Sequence, residues 1–286
     1  MYRIKESGII KIKEGLKMIT IYKPKGKARE YSPYALNIYK GCDHDCKYCY
    51  VNKMTYYKND NENPVPRENI IPELEKYLKK NRINKQVLLC FTGDPYCKKD
   101  IEYNKTREAL KILNYYNVPV AILTKGGERI LRDVDIFKKF NNIKIGATLT
   151  LINKKQSMYY EPRAALPEDR IETLYKIHNE GIRTWVSFEP VIDPLQTIKI
   201  LDMTNNFIDE YQVGKMNYYN IGENINWGRF GDIMAKKLLY IGKDFYIKKD
   251  LYKYMSISLE NKYINQDNLA LENQETYNEV SQDVLF

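Results

Sequence analysis

An α/β fold of parallel strands, either a barrel or an open doubly wound sheet, is what this sequence predicts. Two observations carry that expectation. Short apolar runs alternate with amphipathic segments of helical period along most of the chain, and strand–helix units repeated in this way require parallel strands with right-handed crossovers. The length, 286 residues, fits one large α/β barrel with a full core.

Residues 1–33 mix Lys, Gly, Pro and Tyr without sustained periodicity, and Pro24-Lys25-Gly26-Lys27 signals a turn, so they read as an N-terminal extension. The first strand is expected at Tyr34–Tyr39. Pro72 opens a helix that leads to strand two, Gln86–Phe91, which stops at Thr92-Gly93-Asp94-Pro95. A helix at Lys105–Tyr115 leads to strand three, Pro119–Thr124; one near Leu131–Phe140 leads to strand four, Lys144–Thr150. Pro167 starts the next helix, in which Ile171, Leu174, Tyr175 and His178 follow the i, i+3, i+4, i+7 spacing and Gly181 is the stop. Strand five, Thr184–Phe188, the helix Leu195–Met203 and strand six, Tyr211–Lys215, complete the alternation. Residues 227–257 are expected to add closing helices. The catalytic body is thus placed at 34–257, and residues 258–286, rich in Asn, Gln and acids, read as a flexible acidic tail.

No run near twenty apolar residues occurs, and the N-terminus lacks the apolar stretch of a signal peptide, so no membrane partner and a cytoplasmic location are expected. Five cysteines, three of them in one motif, suit a reducing compartment rather than a disulfide scaffold. The formal charge is +9, but residues 259–286 hold one Lys against six acids, which leaves the remainder at +14. A basic body favours phosphate-bearing partners, and an ordinary solvated lysine-rich surface accounts for the charge equally simply.

Cys42, Cys46 and Cys49 lie within eight residues at the spacing CxxxCxxC, directly after the first strand. Loops that follow barrel strands carry the chemistry. Thiolates select zinc, copper(I) or iron–sulfur clusters; a four-iron cube normally takes four, so three leave one iron open for a small molecule. The same residues with His44 also allow a tetrahedral zinc site.

The motif resembles that of the radical SAM enzymes, CxxxCx(aromatic)C, with Tyr48 at the aromatic place. Glu30-Tyr31-Ser32-Pro33-Tyr34-Ala35, Thr92-Gly93-Asp94-Pro95-Tyr96, Leu123-Thr124-Lys125, Glu161-Pro162-Arg163, the segment Trp185 to Pro194 and Val213-Gly214-Lys215-Met216-Asn217 are similar to the subgroup related to spore photoproduct lyase, over roughly residues 30–220. The resemblance implies a partial (β/α)6 barrel, a 4Fe-4S cluster on the three cysteines, and S-adenosyl-L-methionine (SAM) chelated by the open iron and cleaved reductively to a 5′-deoxyadenosyl radical. It also implies a reductant such as flavodoxin or ferredoxin.

Thr92, Gly93 and Asp94 stand where that family hydrogen-bonds the methionyl amino group. Lys125 suits the methionyl carboxylate, Arg163 offers a fork for a carboxylate, and Thr148 and Thr150 share one strand face where ribose hydroxyls need partners. Trp185, Ser187 and Glu189 alternate on one face of strand five, with the Glu189 carboxylate at the strand end as a catalytic candidate. In the lyase a cysteine near the end of strand two donates a hydrogen atom; here Phe91 occupies that place. Cys97, just beyond it, is the candidate donor, and Cys90 is expected in the packed wall.

The substrate is unassigned. Nucleic acid is the first expectation, a peptide or small metabolite the second, and a non-catalytic cluster- or zinc-bearing nucleic-acid-binding module the third. Oligomeric state is not encoded in any of these features.

Overall fold

The computed structural model describes residues 9–11, 16–18, 20–53 and 62–273. Two short antiparallel strands, β1 (Ile9–Lys11) and β2 (Leu16–Met18), come first. The main sheet begins with β3 (Ile21–Tyr22), antiparallel to β4 (Tyr34–Leu36). β5 (Tyr39–Lys40) and β6 (Val65–Pro66) pair apart from it as a small ribbon behind the cysteine loop. The sheet then runs through β7 (Val87–Leu89), β8 (Val120–Thr124), β9 (Ile143–Thr148), β10 (Arg183–Phe188), β11 (Glu210–Val213) and β12 (Asp244–Ile247).

From β4 to β12 every pairing is parallel and spatial order follows chain order. A doubly wound sheet reverses its order at a switch point. None occurs here, so of the two predicted architectures the partial barrel is the one formed. The sheet curls: Leu88 of β7 and Trp185 of β10, three strands apart, share one apolar cluster with Ala121, Tyr31 and Phe91. Gly146 makes this possible, since a Cβ there would lie 2.5 Å from the Trp185 indole.

The helices α1 (Ile70–Leu78), α2 (Asp100–Tyr103), α3 (Lys105–Tyr115), α4 (Val134–Phe137), α5 (Lys154–Tyr160), α6 (Pro167–Asn179), α7 (Pro194–Thr204) and α8 (Trp227–Tyr240) form the connections. The outer face of the sheet packs on them in two large cores. One gathers Leu74, Leu110, Val120 and Ile145, the other Leu174, Val186, Ile200 and Met234.

Two expectations are corrected. Residues 227–257 contribute a seventh parallel strand, β12, and not helices alone; its apolar run, Phe245-Tyr246-Ile247, is too short to announce itself beside α8. The expected tail also packs in part. Leu271 exchanges bonds with Gln86, Lys144 Nζ donates to the Leu269 carbonyl at 3.0 Å, and Gln266 is buried. The rest of that tail, residues 274–286, and residues 1–8 lie outside the described residues.

Candidate active site

The functional end of the barrel is built around the loop Gly41–Tyr50, which leaves β5 and lies over the strand ends. Five ties hold it. Lys47 N–H donates to the Tyr160 carbonyl (2.9 Å), Arg163 N–H to the His44 carbonyl (3.2 Å), the Tyr219 hydroxyl to the Cys49 carbonyl (2.8 Å), and Lys98 N–H to Asp43 (2.7 Å). The fifth is steric: Gly93 packs so closely on the loop that a Cβ would lie 2.7 Å from the Gly41 oxygen.

Cys46 is buried and Cys42 and Cys49 are half-buried. Burial, then Asp94 and the other two thiols, pushes Cys42 up; burial pushes Cys46 up to about 12. Metal binding draws on the deprotonated thiol, so a cation or metal cluster has to offset the burial that opposes the charge on Cys42 and Cys46.

Asp94 sits beneath the loop. Its Oδ1 accepts from Thr124 Oγ1 (2.6 Å) and Tyr96 N–H (2.8 Å), its Oδ2 accepts from Lys125 N–H (2.8 Å), and His44 Nε2 lies 3.1 Å away. Burial alone would raise its pKa, but His44 and these donors outweigh burial and hold the carboxyl well below the usual range. Both oxygens are thus engaged inside the protein. Asp94 positions the loop and the start of the Lys125 turn, where the sequence had suggested a direct contact to a cofactor.

A second hub lies on the other side. Glu161 accepts from the Tyr48 hydroxyl, from Thr150 Oγ1 (3.0 Å) and from Arg170 Nη2 (2.5 Å), and Arg170 also donates to the carbonyls of Thr148 (2.9 Å) and Ala165 (2.8 Å). Arg170 and Glu161 are each 1% exposed in the side chain. Arg163, the fork expected from sequence, instead points outward, 47% exposed, with Glu62 at 3.7 Å. The missed signal was Arg170 on the same helix face as Leu174 and Ile177, a charge inside an apolar stripe.

Lys125 faces this hub, its ammonium 5.6 Å from the Tyr48 ring. Burial opposes its charge, but Cys46 and Glu161 outweigh burial and raise its pKa. Arg170 already neutralises Glu161, so Lys125 remains a charged donor for an anionic group. Thr148 ends β9 opposite Ser187 on β10 and is buried. The Thr150 hydroxyl is taken by Glu161.

In the lumen, Tyr31 touches all three residues predicted to share a face of β10. Its ring tilts on Trp185 at 6.4 Å, and its hydroxyl bonds Ser187 Oγ (3.0 Å) and donates to Glu189 Oε2 (2.5 Å). Glu189 also accepts from Lys248 Nζ and from Asn217 Nδ2 (3.3 Å). Lys248, delivered by β12, was missed. Cys97 is corrected as a donor: it is fully buried in the outer core with Tyr96 and Leu110, away from the lumen cluster, because the chain turns back under the loop at Asp94–Cys97. Cys90 is buried, as expected.

The donor set fits an iron–sulfur cluster with SAM. Three thiols lie in one loop, the Thr92 hydroxyl and one Asp43 oxygen are buried without hydrogen-bond partners, and Lys125 is charged. Cys42, Asp43 and His44 also place one ligand atom each within 4.8 Å of one another, so the zinc alternative keeps three neighbouring donors, although His44 Nε2 lies 3.1 Å from Asp94.

A family model described as the radical SAM superfamily matches residues 36–208. An uncharacterized protein of Methanocaldococcus jannaschii is 30% identical over 182 residues, covering 62% of this chain and 68% of that protein. Another, of Acidianus two-tailed virus, is 26% identical, covering 59% and 60%. Among solved structures, Streptococcus suis SuiB bound to S-adenosylmethionine superposes with a TM-score of 0.61 at 14% identity, over 79% of this chain and 53% of that one. Spore photoproduct lyase complexed with dinucleoside spore photoproduct gives 0.60 at 12%, over 79% and 78%. At these identities the likeness to the solved structures is one of fold.

Proposed function

The chain belongs to the radical SAM superfamily, and from that premise we propose that it is an enzyme whose Cys42, Cys46 and Cys49 hold a 4Fe-4S cluster and which acts on a nucleic-acid substrate. When bound, cluster and cofactor would supply reductive cleavage of SAM to a 5′-deoxyadenosyl radical, with electrons from a flavodoxin- or ferredoxin-type reductant. The protein's own groups do the rest. Lys125 takes the methionyl carboxylate, the free Thr92 hydroxyl the amino group, and Thr148 the ribose, while Asp94 and Glu161 fix the loop that presents the thiols. The observation that carries this reading is one loop that sets Cys42, Cys46 and Cys49 beside a strand end with a buried Thr92 hydroxyl lacking a hydrogen-bond partner and the Lys125 ammonium 5.6 Å from the Tyr48 ring.

Support for the substrate class comes from the rim. Lys47 lies 3.2 Å from the Tyr159 ring centroid, Lys53 4.8 Å from Tyr219, and Lys215 5.5 Å from Trp227. None of the three has a carboxylate partner among the described residues, whereas helix lysines such as Lys76, Lys79, Lys105 and Lys176 do. Lysines over rings suit a strand whose phosphates need cations and whose bases need stacking faces. The test is anaerobic reconstitution followed by dithionite and SAM: about four irons per chain and release of 5′-deoxyadenosine are expected. Stoichiometric zinc without a cluster chromophore, or a cluster that never cleaves SAM under any reductant, would overturn the reading.

A further inference from the structure

Cys42, Asp43 and His44 follow one another in the chain, yet each places one ligand atom within 4.8 Å of the other two. In an extended strand consecutive side chains point to opposite faces. Here Asp43 and His44 form a turn, and Asp45 directly after them takes a left-handed φ of 53°, which lets neighbours in sequence face one point. The three are fixed from outside the loop. Lys98 N–H donates to Asp43 Oδ2 (2.7 Å) and Arg163 N–H to the His44 carbonyl (3.2 Å). His44 Nε2 lies 3.1 Å from Asp94, which is itself anchored by Thr124, Tyr96 and Lys125.

What these contacts leave over is a donor set. Asp43 Oδ1 and His44 Nδ1 have no hydrogen-bond partner, although the two residues are only 8% and 2% exposed. Buried polar atoms are nearly always bonded, so two exceptions in adjacent residues point to a ligand. The cofactor contacts assigned above fall to Lys125, Thr92 and Thr148 and use neither atom. A thiolate, a carboxylate oxygen and an imidazole nitrogen together suit zinc or ferrous iron. A metal-bound histidine is oriented, and made more basic, by a carboxylate at its other nitrogen; Asp94 stands in that place behind His44. Three protein ligands leave a fourth position for water.

We propose that Cys42, Asp43 and His44 form a mononuclear site for a divalent metal, zinc or ferrous iron, in the chain that carries no cluster. Binding releases the Cys42 thiol proton and changes no oxidation state. The consequence rests on the cluster reading above, which assigns the same Cys42 thiolate to iron: the two sites share a ligand, so they fill one at a time. Zinc held by Cys42, Asp43 and His44 keeps the cluster from assembling, and the turn is a point at which a divalent metal regulates maturation of the enzyme.

The full chain, purified without cluster and reduced, is titrated anaerobically with cobalt(II) as the spectroscopic stand-in for zinc. Binding of a single cobalt with a thiolate-to-cobalt charge-transfer band is expected, and zinc should displace it. Asp43→Asn and His44→Gln should each weaken binding at least about tenfold, since even an outer partner of a metal ligand is worth that much. Cys42→Ala should abolish the band, whereas Cys46→Ala and Cys49→Ala should leave the affinity unchanged. If His44→Gln fails to fold, Asp43→Asn, which keeps the shape of the side chain, carries the test. In a second arm iron and sulfide are added after zinc: the cluster chromophore should rise more slowly than without zinc in the parent and at the same rate in Asp43→Asn. Cobalt binding that Cys46→Ala or Cys49→Ala also removes, or that Asp43→Asn and His44→Gln leave intact, overturns the site. Zinc that binds without delaying assembly overturns the shared ligand. A parent that binds cobalt as expected but forms no cluster even without zinc overturns the cluster reading and leaves the metal site standing.

Discussion

Arg170→Met separates the buried hub from the surface arginine that the sequence pointed to. In the folded protein Arg170 donates to Glu161, Thr148 and Ala165. Removing it strands a carboxylate that is 1% exposed, with Tyr48, Thr150, Ser157 and the more distant Lys125 as its remaining support. Breaking a buried pair costs about 3–5 kcal/mol, and in a domain of this size each kcal/mol lowers Tm by roughly 2–4 °C. A drop on the order of 10 °C follows. The sign with pH is determined as well. Burial works against the Glu161 charge, but Arg170 and Lys125 outweigh it and hold the folded pKa below the ordinary value. In the native protein this group therefore stabilises above the ordinary carboxylate range and loses that contribution as pH falls through the folded pKa. In the variant burial wins, the folded pKa moves above the unfolded one, and the penalty is full at neutral pH and fades as pH drops. Anaerobic differential scanning fluorimetry at pH 7.5 and pH 5 should show the gap between variant and parent narrowing at the lower pH. Arg163→Met, which removes only an exposed pair, should shift Tm by no more than about 2 °C. Equal losses for the two variants, or an Arg170→Met gap independent of pH, would refute the reasoning.

Three other outcomes are expected. Alanine at Cys42, Cys46 or Cys49 should abolish iron retention, read by iron and sulfide analysis, since none of the other cysteines lies in the loop. Cys97→Ala should cost about 1 kcal/mol through a small cavity and leave SAM cleavage unchanged, because the thiol sits in the outer core; loss of cleavage with an intact fold would return Cys97 to the chemistry. Asp94→Asn should lower iron occupancy together with Tm by several degrees, because its oxygens serve Thr124, Tyr96 and Lys125; full occupancy with weakened SAM affinity alone would make it a direct cofactor contact.

How far the sequence was legible depends on the range of the interaction that decides each feature. The strand–helix alternation and the cysteine loop are local, and both could be read: five of the predicted strands coincide with β7 to β11 within a few residues. The face of β10 was legible for the same reason, since a period of two is intrinsic to a strand. The burial of Cys97 was not. It depends on how the Asp94–Cys97 turn folds back under the loop, through Asp94 and the Cys97 N–H bond to the Asp94 carbonyl. The choice between Arg163 and Arg170 turned on tertiary contact as well: both lie near Glu161 in sequence, but only Arg170 stands on the inward face of α6. Lys248 lies 59 residues from its partner Glu189, and no local pattern links them.

The segments outside the family match also decide from which end the lumen can be reached. At the N-terminal end of the strands, Lys144 and Glu210 form a fully buried pair beneath Trp185, and the Leu269 carbonyl and the Gln86–Leu271 bonds cap them. Along the side, β3 and β12 are not paired, and the stretch Gly26–Tyr31 spans that seam. Glu30 accepts from the Tyr246 hydroxyl (2.6 Å) and Lys249 N–H (3.0 Å), and Lys27 meets Asp250 and Asn217. Gly26–Glu30 buries no residue of its own, so these polar bonds, together with the packing of Tyr31 on Trp185 and Phe91, hold the seam. The floor, by contrast, is sealed by buried groups whose exposure would strand a charge pair. Access therefore falls to the end where the cysteine loop, Lys125 and the lysine–aromatic rim stand.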